Sequence, residues 1–148
     1  MAGQTVAIAC DHAGFTLKSL LKADLEADGY TVLDLGTNGP ESVDYPDFGF
    51  ALADAIAAGK AEKGVLVCGS GIGISIAANR NPAVRAAVVT NSLTARLARQ
   101  HNDANVVCFG ERLVGSEVAR DAMRVFLETE FEGGRHARRV DKLASPQT

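Results

Sequence analysis

Cys68-Gly69-Ser70-Gly71-Ile72-Gly73 places a nucleophilic side chain at the head of a run with glycine at every second position. Glycine lets successive backbone N–H groups converge on an anion, and a helix starting near Ile72 would add the partial positive charge of its N-terminus. Such a loop is built to stabilise an oxyanion. A free thiol, with an ordinary pKa near about 8.5, is only ~3% thiolate at pH 7, and a helix N-terminus raises that fraction. Cys68 is thus positioned to act as a base or nucleophile, although a small residue filling a tight strand end would look the same. Three familiar loops are excluded by single residues. A dinucleotide fingerprint needs glycine where Ile74 stands, a Walker loop needs Gly-Lys-Ser or Gly-Lys-Thr, and a cysteine phosphatase loop needs arginine at Ile74.

Other groups could join this loop. Asp11-His12 offers a carboxylate and an imidazole for acid–base work, or a cap for the helix that follows. His101-Asn102 could serve likewise, or could close a helix C-terminus. Position alone decides neither. Arg112 and, after the Gly-Gly break, Arg135, Arg138 and Arg139 beside His136 supply guanidinium forks suited to phosphate oxygens. The three histidines show no metal-ligand spacing, and Cys10 and Cys108 fall in apolar runs, so no metal site is expected.

The elements that must position these groups alternate along the chain. Strand-like runs cover Thr5 to Cys10, Thr31 to Leu35, Gly64 to Val67, Ala86 to Val89 and Asn105 to Phe109. Helix-period segments cover Phe15 to Asp28, Asp47 to Ala58, Ile72 to Asn79, Ser92 to Gln100 and Ser116 to Glu130; Gly133-Gly134 then breaks the pattern and frees a tail. Strands alternating with helices predict a parallel sheet covered on both faces, a three-layer α/β/α sandwich. We expect the flavodoxin-like, Rossmann-like order 2-1-3-4-5, with ligands beyond the carboxyl ends of strands one and three. Asp11, His12 and Cys68 to Gly73 lie there.

A length of 148 residues, 47% of them hydrophobic, fits one domain over 1–148 with a sizeable core. No apolar run nears the roughly 20 residues that cross a bilayer, and the start of the chain does not resemble an export signal. Three cysteines, an odd number, argue against a disulfide framework and make a reducing, cytoplasmic setting the expectation. Net charge is −3, with −6 over residues 1–132 and +3 over 133–148. That basic tail suits one small anion better than a nucleic acid, which would want a basic face across the domain.

Together, Cys10-Asp11-His12-Ala13-Gly14, Asp44-Tyr45-Pro46, Cys68 to Gly73, Ile76-Ala77-Ala78-Asn79, Arg99 to Asn105 and Glu132-Gly133-Gly134-Arg135-His136 resemble the type B ribose-5-phosphate isomerase family, which includes galactose-6-phosphate and allose-6-phosphate isomerases. The resemblance spans nearly the whole chain. It implies an aldose–ketose isomerase working through a cis-enediolate, without metal or organic cofactor. Cys68 would move the proton between C1 and C2, assisted by Ser70, while the amides of Gly69, Gly71, Ile72 and Gly73 and the side chain of Asn102 would hold the enediolate oxygen. His101 and Asp11 would open the sugar ring, Tyr45 would line the sugar site, and His12, Arg112, Arg135 and Arg139 would hold the phosphate. Members with serine in place of Cys68 use a glutamate in place of Ile74; here cysteine is present and glutamate absent. Many cysteine-type members have threonine where Ser70 stands, a change that keeps the hydroxyl. Arg138 and His136 match less diagnostically and stay outside the expected site.

Ribose 5-phosphate and ribulose 5-phosphate are the expected pair. A four-carbon or six-carbon sugar phosphate is the nearest alternative, and a binding module that senses a phosphometabolite without turnover is the alternative of another class. His101, Arg135 and Arg139 all follow helix ends and so start at the sheet edge away from Cys68. The simplest way to bring them to a site is a neighbour related by a two-fold axis. A homodimer, or a dimer of dimers, is therefore expected, with the tail 133–148 reaching the neighbouring subunit.

Overall fold

A computed structural model describes residues 3–145; the last three residues of the basic tail lie outside it. Five parallel strands form one sheet: β1 (Thr5–Cys10), β2 (Thr31–Asp34), β3 (Lys63–Cys68), β4 (Ala86–Val88) and β5 (Val106–Gly110). Six helices connect and flank them: α1 (Phe15–Ala27), α2 (Tyr45–Ala57), α3 (Ile72–Ala78), α4 (Ser92–Asn102), α5 (Ser116–Glu128) and α6 (Arg135–Ala144). A 3-10 turn at His12–Gly14 joins β1 to α1.

The strand order is β2-β1-β3-β5-β4. This corrects the expected 2-1-3-4-5 by exchanging the last two strands. Burial explains the exchange: every residue of β5 is buried, whereas the three residues of β4 are half-buried or exposed, as an edge strand tolerates. A right-handed crossover returning from the edge places α4 on the face that carries α1 and α5, while α2 and α3 cover the other. One core gathers Ile8, Leu21, Leu25, Val67, Phe109 and Phe126 beneath α1, α4 and α5; the second gathers Leu52, Leu66, Ile74 and Cys108 beneath α2 and α3. Ile74 is thus a core residue of α3.

The segment after Gly133-Gly134 is a helix and not a free tail. Positive φ at both glycines, 67° and 56°, turns the chain so that α6 runs back against α4. No helix among the described residues is long and apolar enough to cross a membrane.

Candidate active site

Cys68 is the last residue of β3, and its partner across the sheet is Gly110 at the end of β5. The chain turns sharply between them. Gly71 sits at φ 77°, and a side chain there would collide with the backbone of Phe109, so only glycine fits. Gly110 lies against Ser70 just as closely. The N–H groups of Glu111 and Arg112 donate to the carbonyls of Cys68 and Gly69 at 2.9 and 3.1 Å, fastening the loop to the turn after β5. Glu111 also accepts the N–H of Leu17 at 2.7 Å, tying that turn to the start of α1.

Cys68 is 4% exposed, and its sulfur accepts the N–H of Gly71 at 3.1 Å. That bond holds the sulfur against the turn of the glycine loop. The other two cysteines have no such role. Burial pushes the Cys10 thiol up to about 12 and raises Cys108 further, so both stay protonated at neutral pH. Ser70 Oγ accepts the N–H of Ile72 at 3.2 Å.

Around the loop opens a cleft of about 580 Å³, lined by Asp11, His12, Tyr45, Cys68, Gly69, Ser70, Ile72, Gly73 and Arg112. Arg112 lays its guanidinium over Gly69, and Tyr45 lays its ring over Gly73, where a Cβ would overlap the ring. His12 Nδ1 accepts the N–H of Val43 at 3.1 Å. In the neutral ring that bond leaves the proton on Nε2. Asp11 is buried, and its Oδ1 accepts the N–H groups of Ala13 and Gly14. The capping role is therefore realised.

His101 and Asn102 end α4, at the edge of the sheet from which β5 starts. The length of β5, roughly 16 Å at about 3.3 Å per residue, separates them from the Cys68 loop. A second cleft of about 310 Å³ holds His101, Asn102, His136 and Arg139. Arg135 opens α6 on the same side. The expected site residues thus form two groups at opposite edges of the sheet of one chain.

Residues outside the expected site hold the second group in place. Buried Arg99 donates to the carbonyls of Thr129 and Ala104 and to Asp103, locking the end of α4. The His136 ring stacks on His101 at 4.4 Å and 15°. Among the described residues, His101, Glu132 and His136 bring donor atoms within 4.8 Å of one another. No linear spacing signals this cluster, because it exists only once α6 folds onto α4.

Comparison with known proteins gives a consistent result. The Ribose/Galactose Isomerase family model matches residues 6–143. Ribose-5-phosphate isomerase B of Escherichia coli K12 is 44% identical over 140 residues, 95% of this chain and 94% of that protein. A putative sugar phosphate isomerase of Bacillus subtilis is 39% identical over 94% of each. The solved ribose-5-phosphate isomerase B of Clostridium thermocellum superimposes with TM-score 0.94 at 50% identity, covering 95% of both chains. The Trypanosoma brucei type B enzyme does so with TM-score 0.92 at 44% identity, covering 98% of this chain and 99% of that one.

Proposed function

The chain belongs to the ribose/galactose isomerase family, and we propose that it interconverts D-ribose 5-phosphate and D-ribulose 5-phosphate, with Cys68 as the base. The observation that carries this reading is the Gly71 N–H aimed at Cys68 sulfur inside an open cleft, while the other two thiols are buried and protonated. The names of the relatives support the pentose substrate.

In the open-chain aldose, the Cys68 thiolate takes the C2 proton, and the electrons of the C–H bond form the C1–C2 double bond while the C1 carbonyl oxygen becomes the enediolate oxygen. Delivery of the proton from the thiol to C1 uses the electrons of the double bond, while the O2 proton passes to O1 and C2–O2 becomes the carbonyl of the ketose. Amides of the glycine loop hold the developing charge in a site organised before substrate arrives. His101 and Asp11 open the ring, Ser70 assists Cys68, Tyr45 lines the sugar, and His12, Arg112, Arg135 and Arg139 hold the phosphate. Asp11 keeps its capping bonds through Oδ1, which leaves Oδ2 for this work.

The two groups meet through assembly. A two-fold-related copy would bring His101, Asn102, Arg135 and Arg139 of one subunit to the Cys68 loop of the other, making a homodimer with two shared sites. Exposed apolar side chains on the relevant helices support this: Ile72 and Ile76 on α3, Leu93 and Leu97 on α4, and Leu143 on α6. Cleft depth between loop and arginines then sets the carbon number.

The test is a direct isomerisation assay on four-, five- and six-carbon aldose phosphates. The pentose should be turned over with the highest kcat/KM. Preference for another length would move the substrate assignment, and binding without turnover of any would remove the enzyme reading.

A further inference from the structure

His136 is the buried residue of α6, yet it belongs to no step proposed above. The N–H of Glu132 donates to the carbonyl of Gln100 at 3.1 Å, and the N–H of His136 donates to that of Gly133 at 3.0 Å, which pins the start of α6 to the end of α4. The imidazole makes little use of its polarity there. Its Nε2 is buried without a hydrogen-bond partner among the described residues, and Glu132 Oε1 stands 3.5 Å away without forming a bond. A buried orphan is unfavourable, and a leucine would fill similar space without one. What the imidazole supplies and leucine cannot is a flat face. That face lies on His101, with ring centroids 4.4 Å apart and planes 15° from parallel.

His101 needs such a support. It stands half-buried in the last turn of α4, where the bonds that lock the helix end run from Arg99 to the carbonyls of Thr129 and Ala104 and to Asp103. Those bonds fix the backbone and leave the ring to be oriented by something else. A proton-transfer group has to be held within roughly 0.5 Å and about 10–20° of its productive geometry. A stacked partner fixes the plane of the ring, and so the direction of both nitrogens, while occupying neither of them. Burial, then the proximity of His101 and Arg135, holds the His136 pKa below its ordinary value; Glu132 opposes that effect and Arg139 adds to it. A neutral His136 lets its neighbour gain and lose a proton without a second cation stacked against it.

We propose that His136 is a positioning residue for ring opening, whose stacked face orients His101 for the proton transfers that open the furanose. In those transfers the O1 hydroxyl of ribose 5-phosphate gives up its proton and its O–H electrons form the C1 carbonyl. The C1–O4 bond breaks, its electrons stay on O4, and O4 takes a proton. His101 and Asp11 divide the two transfers, so together they receive one proton and give one. This role for His136 rests on the one proposed for His101.

Ribulose 5-phosphate separates ring opening from the Cys68 step, because its O5 carries the phosphate and cannot close a furanose. Exchange of its C1 hydrogen for deuterium in D2O, followed by proton NMR, needs the glycine loop, Cys68 and the phosphate contacts but no ring opening. His136→Leu keeps the buried volume that docks α6 and removes the flat face. With unchanged circular dichroism, it should lose at least about tenfold in kcat on ribose 5-phosphate while exchange stays within about threefold of wild type. The His101 Cε1–H resonance should move as the ring current of His136 is lost. His136→Phe restores a flat face and should recover most of both effects. Equal loss in the two assays, or a raised KM for both substrates, makes His136 a mere anchor for Arg135 and Arg139 and overturns the positioning role. So do an undiminished kcat on ribose 5-phosphate, an unmoved His101 resonance, or a phenylalanine variant no better than the leucine one. His101→Ala in the same two assays tests the premise separately: if it slows exchange as much as turnover, ring opening by His101 is refuted and the positioning role falls with it, even where the resonance shows the stack intact.

Discussion

At Cys68 the argument reduces to one proton. Replacing the side chain by a methyl group removes the base and the sulfur that accepts the Gly71 N–H, while the backbone bonds from Glu111 and Arg112 still fasten the loop. Cys68→Ala should therefore fold and bind phosphate nearly as wild type while kcat falls by about three orders of magnitude or more. Steady-state kinetics with a phosphate-binding control checks this, and turnover within a few-fold of wild type removes Cys68 as the base. Gly110 tests the frame and not the base. A Cβ there would stand 2.5 Å from the Ser70 backbone, so Gly110→Ala must displace the loop. We expect at least a tenfold loss of kcat/KM with Cys68 intact, measured by the same assay; unchanged activity contradicts the close-approach argument. The loop was legible in sequence because glycines beside a nucleophile at a strand end have few other uses. Asp11 was not, because a helix cap and an acid–base group share a position until the bonds are seen. The place of His136 was not legible for a different reason: His101, on which it stacks, and Glu132 come from either side of α5.

Buried charge does its work between elements. Lys18 on α1 is 1% exposed, and its ammonium donates to both Asp34 oxygens, the Thr37 carbonyl and Asn38, fastening the chain after β2 beside the end of β1. Burial alone would raise the Asp34 pKa; bonds from Lys18, the Gly36 N–H and Lys22 outweigh it and hold the carboxyl below its ordinary value. A carboxyl depressed in the folded state stabilises above its unfolded pKa, near about 3.9, and loses that contribution as pH falls through the folded value. Asp34→Asn should cost about 3 kcal/mol at pH 7, as removal of one partner strands a buried charge. The difference from wild type should shrink below about pH 4 in denaturant titrations. A gap that stays constant down to about pH 2 contradicts the pairing. Sequence patterning found all five strands to within one or two residues, because apolar runs and glycine breaks are local signals. It misplaced β4 and β5, although the shorter Ala86–Val88 run was the natural edge. It missed α6, whose Arg, Lys, Ala and Leu residues favour helix but which the Gly133-Gly134 break made read as a free tail.

For the whole molecule, the decisive fact is separation: one chain carries Cys68 at one edge of its sheet and His101 at the other. A site using both needs two copies. Cys68→Ala and His101→Ala subunits, each inactive alone, can be mixed after reversible dissociation. Random pairing makes about half the dimers mixed, each with one intact and one doubly damaged site, so about a quarter of wild-type activity should return. If mixed dimers are shown to form and the activity stays at the level of the separate variants, the two residues do not meet across an interface and the shared site is wrong.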